Sequence, residues 1–544
     1  MEKVLIVGGR ATGLMMTAEL ARRGIEVRCI DKSVGIDPHV RANLLHSRTL
    51  EIFQSLGIAE QVLQGSVAEE GLVFYRGGQV IGESPHQPID SPFPFGMSQS
   101  QAHVEATMEA HLNSLGTSVE RSVALTGADQ DENGINVALV HQDGREEHAR
   151  YDWLVACDGA HSEVRHLTGT AFPGESDPFP YILGDVMVAG GKDLEPTKGH
   201  VFFHDTGELF LFTRLPDNRQ FIVANLDPET STDGEATLEE LQAIVAERGR
   251  SNLRISDPHW LAYFHINYRL APHYRKGRVL LAGDAAHVHS LLAGQGMNTG
   301  IQDAYNLAWK LALVVKGQAS VDLLDSYESE RREVADGVVN MTREITDTME
   351  GYASLSHEER EKLIAHLFTP EAERLDAARH LQEVDLDYRA SRLTLDTNEA
   401  FSGGPAPGAQ APDAEKLLVD GVELSLYLIP ADDQYRLLFF QGMDEGETMA
   451  IIEEAANTAM PFASWLKPYI VARQSAESVR EPGAGHTIIH DQHGALHDTY
   501  GAQSPCIYLI RPDGYIAYRS LDIRSIDQYF EHIKIGQGYA NKGI

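Results

Sequence analysis

Three separated stretches of the chain carry residues whose types and spacing suit the binding of a nucleotide cofactor. The first is Gly8-Gly9-Arg10-Ala11-Thr12-Gly13, with Asp31 following 18 residues after Gly13. Glycines at such a turn let the backbone come close to a ligand, and the free N–H groups of a helix start attract an anion such as pyrophosphate. A carboxylate ending the next strand can accept hydrogen bonds from both hydroxyls of a ribose. The turn departs from Gly-x-Gly-x-x-Gly, because Arg10 stands where the second glycine belongs. Two consequences are open: Arg10 hinders the approach of backbone to phosphate, or it supplies a side-chain charge to it. Taken alone, the turn also reads as a purely structural feature of an α/β fold.

The second stretch runs from Arg278 to Lys310. An apolar run delivers Gly283-Asp284, and Gly294-Gln295-Gly296-Met297-Asn298 then opens a helical pattern. The Asp284 carboxylate can hold a sugar-chain hydroxyl beside a pyrophosphate. Helix-start amides suit the carbonyl edge of a flavin, which gains negative charge on reduction. The third stretch, Cys157-Asp158-Gly159-Ala160-His161-Ser162-Glu163-Val164-Arg165, again follows an apolar run.

These loops need a scaffold of parallel strands. Val4–Val7, Trp153–Ala156 and Val279–Ala282 are short apolar runs typical of strands buried on both faces. Leu14, Met15, Ala18 and Ala21 recur at helical spacing, Gly24 ends that helix, and Ile25–Ile30 leads to Asp31, which completes a βαβ unit. From about Asn298, the positions Ile301, Ala304, Leu307, Ala308 and Leu311 give a helix with an apolar face, with Gly317 as its stop. Between 176 and 270, His200–Leu211 and Arg219–Leu226 read as strands, with turns at Asp205-Thr206-Gly207 and Pro216-Asp217-Asn218. A Gly- and Pro-rich linker, Ser402 to Gly408, precedes new strands at Leu437–Phe440 and Ile507–Ile510 and a turn at Arg511-Pro512-Asp513-Gly514. The fold class expected is α/β. It comprises a Rossmann-like dinucleotide-binding domain over 1–175 and 271–395, an inserted mainly β domain over 176–270 with part of 72–100, and a C-terminal α/β domain over 398–544.

The 544 residues, 42% hydrophobic and 23% charged, suit two or three globular domains. A net charge of −35 repels phosphate backbones and anionic lipid, so neither nucleic acid nor membrane is expected as a partner. No window approaches a membrane span and no secretory leader is read. Cys29, Cys157 and Cys506 are far apart and odd in number, which fits a reducing cytoplasm. No His-x-x-x-His pair is backed by a carboxylate, so no metal is expected. His287 and His289 are read as structural.

With the three motifs in this order, residues 1–395 resemble the single-component FAD-dependent aromatic hydroxylases, the class A flavoprotein monooxygenases. Arg41 to Glu51 matches the family's segment after the second strand, and Gln101-Ala102-His103-Val104-Glu105 its helix that begins with a flavin-contacting glutamine. The tail through Arg511-Pro512-Asp513-Gly514-Tyr515 is similar to the thioredoxin-like C-terminal domain of the phenol hydroxylase and polyketide hydroxylase branches. With Cys506 as its only cysteine, that domain is excluded from dithiol chemistry, and a packing or dimer role is expected.

The resemblance implies FAD as cofactor, NADPH or NADH as transient co-substrate, and dioxygen. By position it implies that Gly8, Gly9 and Gly13 cradle the pyrophosphate and that Asp31 binds the adenosine ribose. Arg10, Lys32 and Leu125 join the same cofactor-binding set. Arg41 and Gln101 contact the pyrophosphate and ribityl region, Gly283 and Asp284 the ribityl–pyrophosphate junction, and Gly294, Gly296, Met297 and Asn298 the isoalloxazine. Asp158 and Gly159 belong to a motif tied to both FAD and the nicotinamide. Asn43, Phe202, Phe210, Phe212, Leu291 and Leu292 are the candidate walls of a pocket for a flat apolar substrate. No catalytic side chain is assigned.

Two departures limit the transfer. The phenol hydroxylase branch carries a carboxylate, acting on the substrate phenol, where this chain has Asn43, and an amide cannot serve as a general base at neutral pH. Ser290-Leu291-Leu292-Ala293 lacks the proline usual before the glycine loop. The implied activity is hydroxylation of a phenolic or polycyclic aromatic by a flavin C4a-hydroperoxide, in a monomer or homodimer. Baeyer–Villiger oxygenation on the same fold, and a flavin oxidase or dehydrogenase without oxygen insertion, stay open.

Overall fold

The structure is a computed structural model that describes residues 3–40, 42–191, 194–204, 208–249, 252–291, 293–351, 358–359, 371–397, 401, 403–429, 434–443, 448–463, 466–473 and 487–533. The chain divides into two compact units, Met1–Tyr305 with Arg331–Glu383, and Asn306–Glu330 with Val384–Ile544.

The first unit is built on a six-stranded sheet in the order Arg275–Lys276, Val279–Leu281, Trp153–Ala156, Val4–Val7, Val27–Asp31, Val119–Arg121. Val4–Val7 pairs in parallel with both Trp153–Ala156 and Val27–Asp31, and Trp153–Ala156 in parallel with Val279–Leu281. All four residues of Val4–Val7 and of Trp153–Ala156 are buried, as central strands covered on both faces must be. Because the register aligns Val7 with Ile30 and Ala156, and Ala156 with Leu281, the three motif loops and Asp31 leave the sheet at one carboxyl edge. That edge is where open parallel sheets bind ligands.

A second sheet of eight strands runs His287–Val288, Arg254–Leu270, Gly174–Ala189, Arg219–Asn225, Leu209–Arg214, Gly199–Phe203, Gly71–Arg76, Gln79–Pro85. Alternation gives it two different faces. Ile182, Phe202, Phe210, Phe212 and Ile222 point one way, into a core with Leu241 of the helix Leu238–Ile244. Tyr181, Leu183, Leu215, Phe221 and Ile266 point the other way, with Leu211, Trp260, Phe264 and Leu291 partly buried beside them. The sequence expects Phe202, Phe210 and Phe212 as pocket walls; the structure buries all three in this aromatic core. Phe202 and Phe210 stack 4.6 Å apart, Phe202 also stacks on Tyr75 at 4.3 Å, and all three phenylalanines are buried behind the sheet. The turn at Asp205-Thr206-Gly207 lies outside the described residues, and the one at Pro216-Asp217-Asn218 is a single 3-10 turn.

The second unit holds a seven-stranded sheet ordered Val422–Leu424, Leu417–Val419, Thr487–His490, Leu466–Ala472, Tyr435–Phe440, Cys506–Ile510, Ile516–Ser520. Tyr435–Phe440 is parallel to Leu466–Ala472 and antiparallel to Cys506–Ile510. This unit begins before 398 and takes in Asn306–Glu330, because Trp309, Leu323 and Leu393 share one core with Leu437, Ile470 and Ile507. Arg511, expected only as part of a turn, is fully buried. Its guanidinium meets both Glu330 oxygens at 2.7 and 2.8 Å and donates to Asp513 at 2.9 Å, while Lys310 donates to Glu330 at 2.7 Å.

Among the described residues no helix is long and apolar enough to cross a membrane, and no group of three His, Cys, Asp or Glu side chains is placed to hold a metal.

Candidate active site

At the first motif, the glycines are required by close backbone approach. A Cβ on Gly8, whose φ is +105°, would lie 2.2 Å from the Cys157 carbonyl oxygen, and one on Gly13 1.8 Å from that of Gly8. The Gly9 N–H donates to Asp31 Oδ2 at 2.6 Å, and Asp31 Oδ1 accepts from the Ser33 N–H and hydroxyl at 2.7 and 2.6 Å. Arg10 precedes the helix Ala11–Arg22 with φ −98°, a conformation open to any residue, so the missing glycine strains nothing. Its guanidinium turns to Asp37 at 2.6 Å. The helix has no acid in its first turn and no side-chain cap, which leaves first-turn amides for an anion. The exception is Ala11, whose N–H donates to Glu105 Oε1 at 3.3 Å. Gln101 donates to the same oxygen at 2.7 Å. Burial raises the pKa of Glu105.

Lys32 is exposed and Leu125 is buried on Val123–Asp131. Arg121 was not picked out from the sequence. It ends the strand beside Asp31, 3.9 Å from that carboxylate and 2.9 Å from Glu109.

The second motif abuts the first. A Cβ on Gly283 would lie 2.6 Å from the Thr12 hydroxyl, and one on Gly300 2.5 Å from it. The Gly283 N–H donates to Asp303 Oδ2 at 3.0 Å, His287 Nε2 shares that oxygen at 2.7 Å, and Arg331 Nε donates to Asp303 Oδ1 at 2.7 Å. Burial opposes ionisation of Asp303, but the His287 and Arg331 charges reverse this and lower its pKa. Asp284, in the same turn, is exposed.

The helix Gln295–Val315 begins three residues before Asn298. Asn298 Oδ1 accepts the His46 N–H at 2.9 Å, and its Nδ2 donates to the Leu44 and Gly294 carbonyls, each at 2.8 Å. The side chain thus straps the Leu44–His46 backbone to the glycine loop. Met297 is buried. Gly296 is open: the nearest atom to a Cβ there would be His289 Cε1 at 4.0 Å. Burial lowers the pKa of His289 to about 4, so its ring is neutral.

At the third motif, Asp158 Oδ2 accepts the Val164 N–H at 3.1 Å, while Oδ1 is buried without a partner. Burial raises its pKa. Gly159 has φ +83° and nothing within 4 Å of its Cβ position. Arg165 ties this loop to the second motif, donating to the Ala285 carbonyl at 2.9 Å and to that of Ala160 at 2.6 Å.

Next to this edge is a cavity of about 550 Å³. Arg165, Arg269, His161, His166, His265 and His289 line it together with Phe264, Ile266 and Leu291, and among the described residues no carboxylate does. Asn43 sits apart from it, donating from Nδ2 to the Ser98 hydroxyl at 3.2 Å and the Thr213 hydroxyl at 3.0 Å. Arg41 and Leu292 lie outside the described residues.

The donor set fits a flavin dinucleotide. Its features are an uncapped helix start, open glycines at 159 and 296, and a buried orphan carboxylate oxygen at 158, all at one sheet edge.

The comparisons with known proteins agree. A family model described as FAD binding domain matches residues 1–342. A flavin-dependent monooxygenase of Mycobacteroides abscessus is 35% identical over 436 residues, covering 77% of this chain and 85% of that protein. Pentachlorophenol 4-monooxygenase of Sphingobium chlorophenolicum is 29% identical over 529 residues, covering 95% and 93%. The solved structure of OxyS anhydrotetracycline hydroxylase from Streptomyces rimosus matches with a TM-score of 0.77 at 25% identity, covering 97% of this chain and 98% of that one. Together with the three motif loops gathered at one sheet edge, these matches show that the chain belongs to the FAD-binding family of flavin-dependent aromatic monooxygenases.

Proposed function

We propose that the protein hydroxylates a phenolic or polycyclic aromatic substrate, consuming NAD(P)H and dioxygen. The observation that carries this reading is the cavity in which Phe264 and Leu291 of the apolar sheet face meet Ala160 and Arg165 of the third motif loop. FAD, when bound, carries electrons from the nicotinamide to dioxygen, one atom of which enters the ring while the other leaves as water.

The chain's own residues bind and orient. Gly8, Gly9, Gly13 and the helix start they precede hold the pyrophosphate, Asp31 the ribose, with Arg10, Lys32, Arg41, Gln101 and Leu125 around the dinucleotide. Gly283, Asp284 and Asp158 hold the ribityl chain. Gly294, Gly296, Met297 and Asn298 shape the ring site, where Asn298 keeps the Leu44–His46 segment in place. The apolar sheet face excludes water from the reacting ring.

The cavity beside Asp158-Gly159 suits the nicotinamide co-substrate. In a chain of net charge −35, a cavity lined by Arg165, Arg269 and four imidazoles and, among the described residues, by no carboxylate selects an anion, and a pyrophosphate is one. The buried, free cysteines Cys29, Cys157 and Cys506 suit a reducing compartment such as the cytoplasm.

The test is NAD(P)H oxidation by the FAD-loaded protein across phenols and polycyclic phenolics. Stimulation by one of them, with isotope from labelled dioxygen in the product, is expected. Hydrogen peroxide as the only product with every compound would overturn hydroxylation in favour of an oxidase. A ring-expanded ester would mean Baeyer–Villiger chemistry.

A further inference from the structure

One imidazole on the wall of the cavity differs from the other three. His161, His166 and His265 are exposed, where water competes for their nitrogens, whereas His289 is half-buried. It lines the cavity together with Val288, Phe264 and Leu291. It also borders the glycine loop, since its Cε1 is the atom nearest to where a Cβ of Gly296 would be, at 4.0 Å. The sequence alone reads this residue as structural, but its surroundings give it a free valence.

The hydrogen bonding fixes the tautomer. His289 Nδ1 lies 3.0 Å from the Ser290 carbonyl oxygen, which can only accept, so Nδ1 carries the proton. In the neutral ring the lone pair then sits on Nε2. Among the described residues Nε2 meets no hydrogen-bond donor. His287 stacks on this ring at 6.1 Å, with the planes 9° apart, and is itself tied to Asp303 at 2.7 Å. Burial, and after it the charge of His287, hold the His289 pKa at about 4, so Nε2 stays unprotonated at neutral pH. The ring thus brings an acceptor to the cavity wall. An acceptor left without a donor in a half-buried setting is costly, and a donor carried in by a ligand removes that cost. Arg165 and Arg269 suit an anion, but a guanidinium has only donors and cannot take a hydroxyl hydrogen.

We propose that His289 is a specificity-determining residue that holds the aromatic substrate by its hydroxyl group, with Nε2 accepting the O–H hydrogen. The proton stays on the substrate. Asn43 offers no base, and an imidazole this hard to protonate does not become one, so the site meets its substrate as the neutral phenol. The ring of the substrate lies against Phe264 and Leu291 while its hydroxyl is anchored at His289. An aromatic without that hydroxyl leaves Nε2 unpaired and is turned away. A site that hydrogen-bonds a substrate hydroxyl discriminates far more strongly than an apolar pocket that senses one methyl group. The inference rests on the hydroxylase reading above.

The probes are 2-naphthol and its methyl ether, 2-methoxynaphthalene, titrated at neutral pH into the FAD-loaded protein and followed by the flavin absorbance. Wild type is expected to bind the naphthol about tenfold or more tighter than the ether. His289→Leu keeps the bulk without the acceptor and is expected to bind the two within about twofold, by losing affinity for the naphthol rather than gaining it for the ether. His289→Phe gives the same reading should the leucine variant not fold. His289→Gln, whose amide oxygen can stand where Nε2 does, is expected to restore most of the preference, which a merely structural role of the ring does not predict. In turnover, His289→Leu is expected to raise KM for the naphthol about tenfold with a smaller change in kcat. A naphthol preference that persists in a folded His289→Leu protein, or a wild type that binds the two probes equally or binds neither, overturns the assignment of His289 and leaves the hydroxylase reading standing. Slowed flavin reduction by NAD(P)H as the only change in His289→Leu also overturns it, because the acceptor then serves the nicotinamide carboxamide. A wild type that hydroxylates no phenol ends both.

Discussion

His287 Nε2 lies 2.7 Å from Asp303 Oδ2, the same oxygen that accepts the Gly283 N–H at 3.0 Å. The turn that presents Asp284 is therefore held from beneath by a buried ionic group completed by Arg331. Asp303→Asn leaves that guanidinium buried without its counter-charge, at an expected cost of about 3–5 kcal/mol, read as a lowered Tm and as loss of FAD on gel filtration. The pH dependence has a definite sign. The folded-state pKa of Asp303 is depressed, so its contribution is present above the unfolded value of about 4 and fades as pH falls below it. Wild type should lose this part of its stability in acid, and the variant should lack that limb of the curve.

Glu383 gives the opposite slope. Burial lifts its carboxyl to about 7, against the pull of Arg331 and hydrogen bonds from Gln302 and Thr299. The folded state holds the proton more tightly, so its contribution is full below the unfolded pKa and is lost as pH rises through 7. Glu383→Gln should gain about 2–3 kcal/mol over wild type at pH 8 and almost nothing at pH 4.5. Urea unfolding at the two pH values measures this, and equal gains at both would contradict it.

Arg10 spends its charge on Asp37 at 2.6 Å. Asp37→Asn releases the guanidinium towards the helix start, where the cofactor's phosphates belong. The expected result is FAD binding tightened several-fold at low salt, an effect that fades by 0.5 M NaCl as the charges are screened, on the order of 1 kcal/mol for a partly exposed pair. Flavin fluorescence titration of the apoprotein measures it. Weaker binding would mean that Asp37 positions the loop rather than holding Arg10 away.

Phe210 and Leu291 should separate cleanly. Phe210→Ala opens a hole in the aromatic core behind the sheet and should cost about 3–5 kcal/mol with substrate KM unchanged. Leu291→Ala, on the partly buried apolar face assigned to the aromatic substrate, should change KM with little effect on Tm. A large KM change for Phe210→Ala would return that ring to the pocket.

The motif turns were legible because their causes are local. Gly8 and Gly283 adopt positive φ, and the apolar runs ahead of them admit only buried parallel strands. The direction in which Phe202, Phe210 and Phe212 point was not legible. Alternation divides a strand into two faces, but only the docking of Leu238–Ile244 decides which becomes core. Asp303 and Arg331 are 28 residues apart and Glu383 lies 84 beyond Thr299, so no spacing rule joins them. Arg10 was legible as an anomaly, but its resolution needed Asp37, which reads as an ordinary loop residue.

The buried quartet of Lys310, Glu330, Arg511 and Asp513 bears on how the polypeptide can be cut. Glu330 and Arg511 are 181 positions apart along the chain, yet each neutralises the other out of reach of water. A version shortened at the Gly- and Pro-rich linker would keep Lys310 and Glu330 but strip away their guanidinium, and would bare Trp309 and Leu323 to solvent. The tail is thus no detachable appendage. Its last strands finish a structure begun two hundred residues earlier, and a nascent chain released before they emerge would be prone to clump.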